Sequence, residues 1–154
     1  MTEAHTGWQN EDYADQPGYH GVERFNDHGK MVELIAEADK EGLAVHVHSE
    51  GGGATHFMLG CIEDAEKITG DIDQRNVLAH LHFVTDEDIH RMGETGSIPA
   101  VAPLWCAKVP GGYEQEVRYV GDGDRRKNIH PAKESESEIV DWDRSYFLTN
   151  YYMP

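Results

Sequence analysis

Short apolar runs alternate with amphipathic stretches through the middle of this 154-residue sequence. The runs beginning at Leu43, Asn76 and Ile98 are each only a few residues long and are typical of buried strands. The stretches between them carry apolar residues at the i, i+3, i+4 and i+7 spacing of one helix face. In the first stretch these residues are Met31, Leu34, Ile35 and Ala38. Short connections between helices and strands predict parallel strands with right-handed crossovers, and therefore an α/β fold.

Glycine residues mark the ends of these elements and allow their bounds to be predicted. Strands are expected near 43–48, 76–81 and 98–102, adjacent and parallel. Helices are expected near 30–41 and 54–69, on one outer face of the sheet. A third helix is expected before the last strand, with a threonine and an aspartate three residues later forming an acidic variant of the capping box.

The two ends of the sequence have no sustained periodicity. Residues 1–28 are predicted to be irregular, and the region beyond Pro103 is predicted to consist of loops and one weak helix. The length fits a single domain over 1–154, since domains typically have about 100–200 residues. Within it we distinguish a β/α segment at 25–131 and an irregular tail at 132–154.

Composition excludes several classes of function. Thirteen Lys and Arg residues against 29 Asp and Glu give a net charge of −16, and no basic patch suited to nucleic acid is present. No apolar run approaches the length of a membrane span or forms a signal sequence. The two cysteines, Cys61 and Cys106, cannot form a disulfide framework. We therefore expect a cytoplasmic protein that binds neither nucleic acid nor membranes.

Two pairs of histidines lie near the ends of the first two predicted strands. Because strand side chains alternate, His46 and His48 should share one face, and His80 and His82 should share one face of the next strand. The opposite faces, expected to contact the helices, carry Val45, Val47, Val77, Ala79 and Leu81. Ligands of parallel α/β folds bind at the carboxyl ends of strands, and neutral imidazole is a common metal ligand. One histidine from each strand is therefore expected to bind a shared metal ion.

The turn Gly51–Gly53 precedes the second predicted helix. Backbone amides at such a helix start can hold a phosphate group. No Walker lysine or dinucleotide-binding pattern follows, so a flexible loop is the favoured interpretation.

The segments that contain the predicted strands resemble those of a known family. The segment Gly42–Ala54 resembles the fifth barrel strand of amidohydrolase 3 family enzymes, which typically ends in His-Ala-x-Gly-Asp-x-Ala. The segment Arg75–His82 is similar to the family's sixth strand, Arg-x-x-x-Glu-His-Ala-Gln, and Gly96–Pro103 to its seventh. The resemblance covers residues 25–131 and implies part of a TIM-type (β/α) barrel.

The resemblance also implies an activity and a site. Members of the family are metal-dependent hydrolases of C–N bonds, usually with zinc, so the expected substrate is a small-molecule amide or N-acyl compound. By the same resemblance His48 and His80 are the zinc ligands, or ligands of another divalent metal. Catalytic residues are not identified.

The sequence also departs from the family pattern. Gly52, Ala79 and Ala102 stand where the family usually has Asp, Glu and Gln. The His-x-His of the first barrel strand and the Ser-Asp of the eighth are missing from this sequence. A complete barrel needs about 250 residues. We therefore expect a fragment or divergent member, inactive or feeble in isolation, that self-associates or pairs with a complementing chain.

Two alternatives remain at this stage. The first is a non-catalytic metal-binding α/β protein in which the same histidines hold an ion. The second is a cupin-like β-barrel, suggested by the spacing of His46, His48 and Glu50. The helical stripes on either side of these residues disfavour the barrel of antiparallel strands.

Overall fold

The computed structural model describes residues 5–70, 75–101 and 112–121. Helices and strands alternate along these residues, which confirms the predicted α/β class and contradicts the cupin-like alternative. The elements are α1 (His28–Lys40), β1 (His46–Glu50), α2 (Gly52–Thr69), β2 (Val77–His82), α3 (Asp86–Glu94), β3 (Ile98–Val101) and α4 (Gly112–Val120).

The three strands form one parallel sheet in the order β1-β2-β3. Val47, Leu78 and Pro99 are in register across the sheet. On the opposite face, His48 is in register with Ala79 and Ala100. This arrangement confirms the predicted adjacent, parallel strands and is consistent with part of a (β/α) barrel.

One hydrophobic cluster joins α1, α2 and α3 to a single face of the sheet. Leu59, Ile62 and Leu78 are almost completely buried in it, and Val47 packs against it. Both long helices therefore cover the same face, as predicted. The cluster contains Val32, Ile35, Ala36, Met58, Leu59, Cys61, Ile62, Ala65, Leu78, Leu81, Val84 and Met92.

The buried face of α1 differs from the predicted one. Val32, Ile35 and Ala36 are buried, whereas Leu34 is 52% exposed. The buried residues keep helical spacing but begin one position later than the stripe read from the sequence. A polar residue, Asp39, completes the face and accepts a hydrogen bond from a threonine hydroxyl of α2.

The first strand begins later than predicted because α1 ends in a Schellman motif. The amide of Gly42 donates to the carbonyl of Asp39 at 3.0 Å, and the amide of Leu43 donates to the carbonyl of Ala38 at 2.9 Å. Leu43 thus belongs to the helix cap and is 60% exposed. Strand β1 starts at His46 rather than at position 43.

The face assignment predicted for β2 is wrong. Leu78 lies in the core, and Val77 and Ala79, predicted to face the helices, are only partly buried. Leu81 is also in the core, three residues after Leu78. Strict alternation cannot bury both leucines, so the strand contains an irregularity between them.

The segment before α1 is irregular, as predicted, but it is closely packed. Tyr13 is 2% exposed, and its hydroxyl donates to the carbonyl of Gly7 at 2.8 Å. The amide of Ala14 donates to the carbonyl of Tyr119 in α4 at 2.7 Å. Residues 5–27, called the N-terminal segment below, are therefore connected to α4.

The helix α4 is the weak helix expected beyond Pro103. The predicted tail at 132–154 lies outside the described residues. Within the part of the chain that the structure describes, no helix is long and apolar enough to cross a membrane.

Candidate metal centre

His48 and His80 meet at the carboxyl ends of two adjacent strands. Their ring centroids are 4.3 Å apart, with an angle of 57° between the ring planes. The Nε2 atom of His48 lies 3.3 Å from Oε2 of Glu50, two residues further along β1. The structure therefore brings the two predicted metal ligands together, with a carboxylate beside one of them.

A register shift places His80 next to His48. Ser49 pairs with His80, but the next residue, Glu50, pairs with His82, so Leu81 is an extra residue in β2. His80 and Leu81 have positive φ angles of 75° and 54°. Residues other than glycine seldom adopt such positive φ angles, because this backbone conformation costs about 1 kcal/mol or more per residue. The bulge turns the His80 ring toward His48 and returns Leu81 to the core.

The other two histidines of the predicted pairs have different environments. His46 is exposed, on the same face of β1 as His48. His82 is 4% exposed, and burial lowers its pKa to about 4 even though the nearby Glu50 acts in the opposite direction. His82 is therefore neutral at pH 7 and is a weak proton acceptor there.

Burial also lowers the pKa of His80, and the neighbouring His48 contributes to the same shift. An imidazole whose proton is lost more easily presents a free nitrogen lone pair at neutral pH. This is the protonation state that binds a metal ion.

Glu116 is a buried acid that the sequence did not reveal and whose pKa is affected by Glu50. It lies on the buried face of α4 with Tyr119 and Val120, and it is 8% exposed. Burial, together with the nearby charge of Glu50, raises its pKa to about 7. The signal that could have identified it is the i, i+3, i+4 spacing of these three residues, in a region predicted to be mostly loops.

The raised pKa of Glu116 predicts a change of stability with pH. The folded protein holds this proton up to about pH 7, whereas the unfolded chain releases it near the ordinary glutamate pKa of 4.5. The free energy of unfolding should therefore fall as pH rises between these values. We expect Glu116→Gln to be as stable as the unsubstituted protein at pH 4.5 and more stable by at least about 1 kcal/mol at pH 8. Urea unfolding at both pH values measures the difference.

Glu114→Gln is the matched control, because Glu114 is exposed on the same helix. It should lack the gain of at least about 1 kcal/mol at pH 8 that is expected of Glu116→Gln. A Glu116→Gln protein whose stability follows that of the unsubstituted protein at every pH would contradict the assignment of a raised pKa.

The triglycine turn is neither a phosphate site nor a flexible loop. All three glycines are buried, and the last two are the first residues of α2. The carbonyl of Trp8 accepts a hydrogen bond from the amide of Ala54 at 3.2 Å, in the place where an anion would bind. A Cβ atom on Gly53 would lie 2.7 Å from the carbonyl oxygen of Gln9. Glycine is needed here because the N-terminal segment approaches the helix so closely.

A second polar cluster connects α2 and α3. Asp88 is fully buried, and its carboxylate accepts hydrogen bonds from Thr85 Oγ1 at 2.8 Å and Arg91 Nη1 at 2.8 Å. Nδ1 of His56, to which the sequence assigned no role, is 2.9 Å from Oδ1 of Asp88. Arg91 also donates two hydrogen bonds to Glu63, at 2.7 and 3.1 Å. Because every charged group in it is paired, we regard this cluster as structural.

The two imidazoles are not accompanied by a complete ligand set. Across residues 5–70, 75–101 and 112–121, no group of three or more His, Cys, Asp or Glu side chains is arranged to hold a metal ion. Ala79, in register with His48, stands where the resembled family usually has a glutamate. The predicted departure at Ala102 lies outside the described residues.

Comparison with known proteins identifies the family. The model of the amidohydrolase family matches residues 2–137. The chain belongs to the amidohydrolase family. This confirms the resemblance found in the sequence, and it extends the matched region beyond 25–131.

Individual proteins similar to this chain are much longer than it is. Protein LONG AFTER FAR-RED 3 from Arabidopsis thaliana is 30% identical over 93 residues, which cover 60% of this chain and 16% of that protein. An uncharacterized metal-dependent hydrolase from Pyrococcus furiosus has a TM-score of 0.69 and 26% identity, covering 84% of this chain and 25% of that one. A second such hydrolase, from Pyrococcus horikoshii OT3, shares the fold with a TM-score of 0.68 and 20% identity, covering 92% of this chain and 26% of that one. The chain thus spans about a quarter or less of each of these proteins.

Proposed function

We propose that this amidohydrolase-family chain contributes a divalent metal site, with zinc as the expected ion, to the hydrolysis of C–N bonds in small-molecule amides or N-acyl compounds. The observation that carries the proposal is the contact of His48 and His80, whose rings lie 4.3 Å apart at the carboxyl ends of adjacent parallel strands. This is the end of a parallel sheet at which α/β enzymes bind their ligands. Metal-dependent hydrolases share the fold.

The chemistry of the donor set fits a divalent ion. Imidazole nitrogen is a preferred ligand of zinc and of related metals, and the lowered pKa of His80 keeps its ring neutral at pH 7. Oε2 of Glu50 is 3.3 Å from Nε2 of His48 and can fix the orientation of that ring. When bound, such an ion acts as a Lewis acid toward a substrate carbonyl.

Proton transfer at this site can be assigned to carboxylates rather than to the buried histidine. Glu116, with a pKa of about 7, can both accept and donate a proton near neutral pH. The charge of Glu50 raises the pKa values of both His82 and Glu116. His82, with a pKa of about 4, is unsuited to accept a proton at pH 7.

Further ligands must complete the site if it is catalytic. Two imidazoles leave two of the four positions of a tetrahedral ion open. We propose that the strands belong to a TIM-type barrel, and that the remaining ligands come from self-association or from a complementing chain. The alternative, a non-catalytic metal-binding protein, is favoured by the lack of a third ligand side chain in the described parts of the chain.

Metal binding by the two histidines is the first test. We expect the protein to bind one equivalent of zinc, and we expect His48→Ala and His80→Ala each to weaken zinc affinity at least tenfold. Loss of groups that merely orient a metal ligand already costs about 10–100-fold. Isothermal titration calorimetry at pH 7 measures both quantities.

His90→Ala is the matched control, because His90 is an exposed histidine on α3, away from the strand ends. Equal weakening in all three variants would contradict the proposed site. Zinc binding without turnover of any amide or N-acyl substrate would favour the non-catalytic alternative. Efficient turnover that His48→Ala abolishes would exclude it.

A further inference from the structure

A pocket of about 420 Å³ opens beside the metal centre. It lies between the N-terminal segment, the long helices and strand β1, and His48 and Glu50 form part of its wall. Small-molecule sites typically have volumes of about 300–1,000 Å³, so this pocket is large enough for a ligand of modest size.

Most of the remaining wall is apolar and aromatic. Trp8 and Phe57 are in contact, with ring centroids 5.3 Å apart, and Met31 and Met58 line the pocket beside them. Phe25 also lines it and is 79% exposed, which is unusual for a large apolar side chain. Flat rings and thioethers of this kind favour contact with an aromatic or branched apolar group.

The pocket wall also carries one arginine and, among the described residues, no lysine. Arg24 lines the pocket and is exposed. None of the carboxylates in the described ranges forms an ion pair with its guanidinium, although the chain carries a net charge of −16. Guanidinium groups bind carboxylates through two parallel hydrogen bonds. An anionic group of a ligand therefore has a partner at this wall.

We propose that this pocket binds the apolar body of a small-molecule carboxylate, with an aromatic or similarly bulky group among Trp8, Phe25 and Phe57 and the carboxylate at Arg24. The inference rests on the proposed function, in which the C–N bond of the substrate lies at His48. The pocket then recognises the part of the substrate next to that bond. It specifies the substrate class as amides or N-acyl compounds that carry both an apolar body and a carboxylate.

Two matched probes test the proposal on the metal-free protein. Calorimetric titration with 4-phenylbutyrate should give saturable binding, and 4-phenylbutanol, which lacks the charge, should bind at least about fivefold more weakly. Arg24→Gln should remove this difference, whereas Lys40→Gln, which changes an exposed cation outside the pocket, should preserve it. Ala54→Leu, which adds volume to the pocket wall, should weaken both probes.

Several results would overturn the proposal. They are the absence of saturable 4-phenylbutyrate binding, equal affinity for the two probes, and unchanged affinity in Arg24→Gln, whose exposed position leaves the fold intact. Sedimentation that shows a dimer dissociated by Ala54→Leu, without probe binding, would mean that a second copy covers the pocket. Zinc binding is measured separately. Zinc binding without probe binding therefore contradicts only the pocket, and probe binding without zinc binding contradicts only the hydrolase function.

Discussion

Replacing Gly51 with alanine is expected to lower the free energy of unfolding by at least about 3 kcal/mol. Gly51 has a φ of 106° and a ψ of 146°, a conformation almost confined to glycine. A Cβ atom there would overlap the carbonyl oxygen of Trp8, a backbone atom that cannot move without displacing the N-terminal segment. Urea denaturation followed by circular dichroism measures the loss.

Gly70→Ala separates the two causes of this loss. Gly70 has a similar backbone conformation, with φ 82° and ψ 175°, but among the described residues that are not its neighbours along the chain or in its helix, no atom lies within 4 Å of the position of its Cβ. We expect this control to cost about 1–2 kcal/mol from backbone strain alone. Equal losses in the two variants would show that the contact with Trp8 adds nothing to the requirement for glycine.

Replacing Asp88 with alanine is expected to cost about 3 kcal/mol, because the change removes a fully buried carboxylate that is paired with Arg91. Removal of the carboxylate leaves the hydroxyl of Thr85 and one guanidinium nitrogen of Arg91 without their buried acceptor. His56 loses its contact with the same carboxylate. The free energy of unfolding in urea at pH 7 gives the magnitude.

The appropriate control is Glu87→Ala, which removes a carboxylate from the same first turn of α3. Glu87 is exposed, so its loss should change the free energy of unfolding by no more than about 0.5–1 kcal/mol through the helix dipole. If both substitutions had this small effect, the buried network would not stabilise the connection between α2 and α3.

The fold could be predicted as far as local patterns determine it. The positions of β2 and β3, the two long helices and the parallel order follow from apolar spacing and from glycine at helix ends. Thr85 does accept a hydrogen bond from the amide of Asp88, as the capping pattern indicated. Burial of Tyr13 could not be foreseen, because its neighbours lie in distant parts of the sequence.

The two histidines of the candidate site could be named from the sequence, but the geometry of the strand that holds His80 could not. Strand ends indicated one histidine from each pair, the family resemblance selected His48 and His80, and the structure brings these two together. The alternation that placed His80 and His82 on one face ignored the extra residue Leu81, and no glycine marked the left-handed turn. Glu116 was missed because its site depends on where a distant helix packs, which no local pattern specifies.

The hydrogen bond between Ala14 and Tyr119 sets an order of events during synthesis. The N-terminal segment leaves the ribosome before α4 does, and Tyr119 is made about 105 residues after Ala14. At a translation rate of roughly 5–20 residues per second, this delay is about 5–20 s. During that interval Tyr13 lacks its α4 neighbour, Tyr119. The segment is therefore open to chaperones and proteases until α4 has emerged.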